Sequence, residues 1–248
     1  MKKSNAKYLL LTTLAISTCY ASQTFAAISL DRTRIIFNSE QKSVSLTISN
    51  KNNQLPYLAQ GWIENEQGKK VSTPFAILPP IQRLEPEKSS QLRIEALPEV
   101  KKLPQDRESI FYFNLREIPP KSDKPNVLQL ALQSKIKLFY RPSSIELTST
   151  EKVNTPWQNQ LVLLKKGNNY IIDNPTPFFI TIVGAKKANG QRISNEFKAV
   201  MVSPFNSIPL GVFVDKLGNN PKLTYVNDYG GRVELDFYCN NNKCSTKK

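Results

Sequence analysis

The stretch Leu128-Gln129-Leu130-Ala131-Leu132-Gln133-Ser134-Lys135-Ile136-Lys137-Leu138 places a large apolar side chain at every second position except Ser134, with polar or small residues between. Period two is the spacing at which side chains leave a strand on alternate faces, so the run reads as one long strand carrying a leucine ladder. On these residues alone it is a core strand of a β-sandwich. What a core role leaves over is its cationic end, where Lys135, Lys137 and Arg141 flank the apolar row. The same alternation recurs outward from it. Val44, Leu46 and Ile48 alternate with Ser45, Thr47 and Ser49, and strand-like segments stand at 35–38, 57–64, 75–78, 91–95, 110–116 and 127–140. Others follow at 145–148, 161–165, 170–173, 178–184, 197–202, 223–227 and 232–238. Clusters of Pro, Asn, Gly and Lys punctuate them at sandwich-like intervals, and no amphipathic stretch of about a dozen residues competes as a helix.

The chain has 248 residues, enough for two domains with a core each. Pro142 ends the long strand, and a new alternation through Ile145 and Leu147 begins beyond Ser143-Ser144. The expected division is therefore 27–143 for a first sandwich and 144–248 for a second.

Residues 1–26 read as a secretory leader. Lys2, Lys3 and Lys7 precede an apolar run from Tyr8 to Cys19, and Thr24-Phe25-Ala26 is small at the third and the last position before a cut after Ala26. The run is too short for the roughly 20 residues of a membrane-spanning helix, so no membrane insertion is expected. Removing 26 residues and three lysines leaves 222 residues with a charge of +11, from +14 for the whole chain. Cys19 leaves with the leader, and Cys239 and Cys244 remain as an even pair in an oxidising compartment, where a local disulfide is expected.

Histidine is absent, which excludes Ser/His/Asp and Cys/His nucleophilic machinery and every His-containing zinc site. Neither GxGxxG nor GxxxxGK[ST] occurs, and the carboxylates are scattered, so we expect no enzyme, no catalytic residue, no metal and no cofactor. The basic charge alone would suit a nucleic-acid binder. Export, and the lack of a basic helix or aromatic stacking platform, argue against nucleic acid as a partner.

The run Leu103-Pro104-Gln105-Asp106-Arg107-Glu108-Ser109-Ile110-Phe111-Tyr112-Phe113-Asn114-Leu115-Arg116-Glu117-Ile118-Pro119 resembles the signature of periplasmic pilus chaperones. So do Ala27-Ile28-Ser29-Leu30-Asp31-Arg32-Thr33-Arg34, Gln54-Leu55-Pro56-Tyr57-Leu58-Ala59-Gln60, Lys135-Ile136-Lys137-Leu138-Phe139-Tyr140-Arg141-Pro142 and Asn227-Asp228-Tyr229-Gly230-Gly231-Arg232. The resemblance covers nearly the whole chain after the leader and is weakest over 185–220.

The resemblance implies an all-β fold of two immunoglobulin-like β-sandwich domains in tandem, forming an L-shaped molecule with an interdomain cleft. It implies a periplasmic protein that binds, folds and caps pilus subunits, both pilins and tip adhesin, by donor-strand complementation and delivers them to an outer-membrane usher. By the same resemblance, Leu128, Leu130 and Leu132 are the donated hydrophobics. Arg34 and Lys137 hold the C-terminal carboxylate of the bound subunit, Glu108, Arg141 and Asp228 form an interdomain salt bridge, and the free chaperone pairs as a self-capping dimer. The short connection at 119–126 between cysteine-free strands resembles the chaperones of rod-like pili. The alternative is an exported structural sandwich protein, a pilin or adhesin, which would need a donor extension ahead of Ile28.

Overall fold

The computed structural model describes residues 27–123, 126–148, 150–151, 156–193 and 197–246. The expected leader, 1–26, lies outside them.

The first domain holds strands β1 (Ile28–Leu30), β2 (Arg34–Asn38), β3 (Ser43–Asn50), β4 (Tyr57–Glu64), β5 (Lys70–Val71), β6 (Phe75–Leu78), β7 (Ile81–Leu84), β8 (Ser89–Ala96), β9 (Ser109–Ile118) and β10 (Gln133–Arg141). They form two sheets, one in the order β1-β3-β8-β6 and the other β2-β10-β9-β4-β5, with β7 also on β4. Inward residues of both sheets meet in one core that includes Phe37, Leu46, Ile48, Ile63, Phe75, Leu92, Phe113 and Leu138. Burial of these side chains is the main force holding the sheets together. On β9 the inward register continues through Phe113 and Leu115 to a charged residue, Glu117, which is also buried.

The second domain follows as β11 (Val162–Lys166), β12 (Asn169–Asn174), β13 (Ile180–Lys186), β14 (Val200–Val202), β15 (Asn206–Phe213), a single helical turn α1 (Val214–Leu217), β16 (Lys222–Val226), β17 (Arg232–Asn240) and β18 (Lys243–Thr246). The path β14-β13-β16-β17-β18-β11-β12-β15 is continuous, and its end strands β14 and β15 come back into contact. The sheet thus closes over a second core built on Trp157, Tyr170, Ile172, Ile182, Leu210, Leu223 and Phe237.

Two expected strands are corrected. The segment 128–132 is not hydrogen-bonded as a strand, so β10 starts at Gln133 instead of Val127, and the connection from β9 is correspondingly longer. Beside 128–132 the chain after β9 makes two contacts, the Glu117 N–H to the Leu132 carbonyl and the Gln129 side-chain amide to the Pro120 carbonyl, and no continuous ladder forms. Residues 145–148 are not a strand either, because the chain after Pro142 turns through a 3-10 segment, Ser143–Ile145. Their alternation still has a use, since Ile145 and Leu147 pack against the second core.

Candidate functional site

Strand β2 runs parallel to β10 with Arg34 opposite Lys137 and Asn38 opposite Arg141. Because β2 begins at Arg34, the β10 edge that faces it is unpaired over 133–136, and the chain before that carries no ladder bonds on either side except Leu132, whose carbonyl accepts the Glu117 N–H at 3.0 Å. Leu128, Leu130 and Leu132 project from this stretch with 84%, 67% and 48% of their surface exposed. They occupy the parity that further along becomes the core face, with Ile136 packed against the first core and Leu138 fully inside it. A hydrophobic strand face therefore runs out of the domain uncovered, beside an open row of backbone donors and acceptors. That is the arrangement an isolated soluble protein ordinarily avoids.

The open edge ends at two cations. Arg34 Nη1 donates to the Val226 carbonyl of the second domain at 3.0 Å, while its buried Nε has no hydrogen-bond partner. Lys137 Nζ donates to Thr181 Oγ1, also of the second domain, at 2.8 Å. Neither belongs to an ion pair among the described residues. Burial pulls Arg34 below its ordinary value, against the distant pull of Asp228 and Glu108. Burial, and then the charge of Arg34, push Lys137 down to about 8. Two partly desolvated positive charges with spare donors can attract and hydrogen-bond an anion such as a carboxylate.

Behind this pair, Arg141 is 1% exposed and joins the domains. Its Nε donates to Glu108 Oε1 at 2.8 Å, and Nη1 and Nη2 donate to the two Asp228 oxygens at 2.7 and 3.1 Å. The other Glu108 oxygen accepts the Phe179 N–H at 2.8 Å. The guanidinium also lies over the rings of Trp157 and Phe178, 5.3 and 5.0 Å from their centroids. Burial would lower Arg141, but the Asp228 hydrogen bonds and both carboxylate charges outweigh it and hold the group above its ordinary value. A planar fork gripped by two carboxylates fixes direction as well as distance, which a lysine could not do.

Further contacts across the junction have no local signal in the sequence. Phe139 packs on Phe179 with ring centroids 5.9 Å apart, and the Glu108 N–H donates to the Pro177 carbonyl at 2.9 Å. Gly230 sits at φ +83°, and a Cβ there would collide with Thr33 Oγ1 of the first domain. Cys239 and Cys244 face each other across the β17–β18 hairpin and are bonded. Among the described residues no cluster of His, Cys, Asp or Glu could hold a metal, and no helix is long and apolar enough to cross a membrane.

Residues 27–146 match the family model described as "Pili and flagellar-assembly chaperone, PapD N-terminal domain", and residues 156–237 match "Pili assembly chaperone PapD, C-terminal domain". The chain is 52% identical to the chaperone protein PapD of Escherichia coli over 224 residues, covering 90% of this chain and 91% of that one. It is 46% identical to the chaperone protein PmfD of Proteus mirabilis (strain HI4320) over 234 residues, 93% of this chain and 90% of that one. Among solved structures, the periplasmic chaperone SfaE superposes with a TM-score of 0.68 at 30% identity, covering 84% and 98% of the two chains. A chain in the structure of the Salmonella enterica SafA pilin in complex with the SafB chaperone superposes with a TM-score of 0.72 at 25% identity, covering 88% of this chain and 99% of that one.

Proposed function

The chain belongs to the family of pili-assembly chaperones, and from that membership we propose that it works in the periplasm, after removal of its leader, capturing pilus subunits and passing them to an outer-membrane usher. The observation that carries this reading is the uncovered leucine face at 128–132 beside an unpaired β10 edge that ends at Arg34 and Lys137.

A pilin that lacks one strand of its own sandwich exposes a hydrophobic groove and unpaired backbone groups. Leu128, Leu130 and Leu132 fill that groove, each contributing ~1.5–3 kcal/mol when fully buried. The last strand of the pilin continues the line of β2, parallel to β10, and its terminal carboxylate replaces solvent at Arg34 and Lys137. Main-chain ladder bonds supply affinity with little demand on sequence, so subunits of differing sequence, pilins and tip adhesin alike, can be served. The anchored carboxylate sets register, which matters because a slip of one residue would turn every leucine away from the groove.

The family is one of chaperones, not enzymes, and the geometry needs no cofactor. The test is purification from periplasm of cells expressing the pilus subunits. A chaperone returns with one small pilin in equal amount, whereas a protein that purifies alone from such cells, with 128–132 intact, overturns the reading. With no pilin to bind, the same apolar edge would be covered by a second copy of the chain.

A further inference from the structure

Glu117 is the one acidic residue in the inward register of β9, two positions beyond the core residue Leu115, and it is 5% exposed. Its Oε2 accepts the backbone N–H of Ile28 at 2.8 Å, and none of the ion pairs among the described residues involves it. A buried carboxylate whose hydrogen bond among the described residues comes from a neutral amide is costly, because a single such bond does not replace the hydration of a full charge. No lysine or arginine among the described residues supplies the counter-charge. One other cation can reach it, and that is a backbone amine.

Ile28 opens β1 opposite Asn50 of β3, and the Ala27 carbonyl accepts the Lys51 N–H at 2.6 Å, so residue 27 is pinned on the sheet beside Glu117. Covalent geometry keeps the nitrogen of residue 27 within about 4 Å of the Ile28 nitrogen that already touches the carboxylate. In the uncut chain that nitrogen is a neutral amide. The leader reading puts the cut immediately before it. We propose that cleavage after Ala26 creates an α-ammonium on Ala27 that pairs with the Glu117 carboxylate, so that leader removal itself completes the first domain. Water adds across the Ala26–Ala27 amide. The carboxylate stays on the leader, and the new amine takes up the proton and becomes the missing cation.

The Glu117 N–H also holds the Leu132 carbonyl, so the pair sits under the root of the uncovered leucine segment. This inference rests on the leader-removal part of the proposed function, not on the capture of pilins.

The test uses the protein exported to the periplasm, whose intact mass reports its first residue. A Gly-Ser insertion between Ala26 and Ala27 moves the ammonium away without touching Glu117. At a fixed urea concentration the insertion should raise the unfolded-to-folded ratio at least about tenfold in the wild-type background, as expected for breaking a buried pair. In Glu117→Gln, which keeps the acceptor for Ile28, the same insertion should change it by less than about twofold, by the additivity of uncoupled sites. If Glu117→Gln does not accumulate, NMR titration of the wild-type α-amino group decides. A value raised above the ordinary one of about 8 supports the pair, and an ordinary or lowered value overturns it. The proposal also falls if the insertion leaves unfolding unchanged, or acts equally in both backgrounds. A mature chain that does not begin at Ala27 removes its premise, while co-purification of pilins from the same preparation reports the chaperone role independently.

Discussion

Arg34 and Lys137 are two positive charges held side by side with no ion-pair partner among the described residues, an arrangement that costs the free chaperone stability and favours whatever anion arrives. Replacing either by Ala should weaken pilin binding by about 2–5 kcal/mol, the usual range for a desolvated charged hydrogen bond, with thermal unfolding of the free protein unchanged or slightly improved. Isothermal titration with a peptide matching the last strand of a pilin, its terminal carboxylate free, checks it, and undiminished binding by a folded variant would return both residues to ordinary surface charges. The depressed Lys137 adds a pH signature. Its folded value of about 8 lies below the ordinary 10.5, so the free protein holds fewer protons than the unfolded chain between those values and gains stability as pH rises through that window. Carboxylate binding needs the ammonium and runs the other way, with affinity falling as pH rises above about 8. In Lys137→Arg, which stays charged, the fall should vanish, and a pH profile identical to wild type would show that Lys137 does not bear on the bound anion.

At the scale of the strand, in the proposed function β10 and the segment before it divide one alternating pattern between two molecules. Ile136 and Leu138 turn theirs inside the chain, and Leu130 and its neighbours are left for a partner. Leu130→Glu should therefore fold normally and bind pilins at least about 100-fold more weakly, since an unpaired carboxylate would enter an apolar groove. Circular dichroism and pull-down measured on one preparation separate the effects, and a variant that fails to fold would make Leu130 part of this chain's own core. The same division explains what the sequence can and cannot reveal. Alternation specifies a buried face and says nothing about which chain buries it, so the leucine run is readable as a strand although no ladder forms over 128–132. Strand β15 is not legible as one because Pro209 and Gly211 interrupt it. It stands at the end of its sheet, where proline's missing N–H costs no ladder bond. Ile145 and Leu147 show the converse, an alternation that packs on a core without pairing. The cation pair and the Arg141 cluster are visible solely through family resemblance, because their members are brought together by folding from distant parts of the chain. Thr181, Val226 and Phe179, which hold them in place, carry no pattern that distinguishes them from ordinary strand residues.

For the whole molecule the question is what keeps the domains at one angle, since Arg34 and Lys137 each lean on a second-domain oxygen. We expect two contacts to govern it. Gly230 lets the chain pass against Thr33, and Gly230→Ala, strained at φ +83° and clashing with Thr33, should shift the domains apart and weaken pilin binding while each core stays folded. Arg141 is expected to be the stronger control. It is buried between Glu108 on one domain and Asp228 on the other, so Arg141→Ala leaves Asp228 without its partner and Glu108, which burial already pushes up to about 7, in the interior without the cation that holds it down. Breaking a buried pair from one side costs about 3–5 kcal/mol, far above the ~0–1 kcal/mol of an exposed pair. Asp228→Asn should be milder, because an amide oxygen still accepts from the guanidinium and Glu108 keeps its charge partner. Small-angle scattering and thermal unfolding distinguish the two. Arg141→Ala should broaden the scattering profile and melt well below wild type, with Asp228→Asn in between. Profiles and melting curves identical to wild type for both would mean that apolar contacts such as Phe139 on Phe179 set the angle, and that the charged cluster follows it.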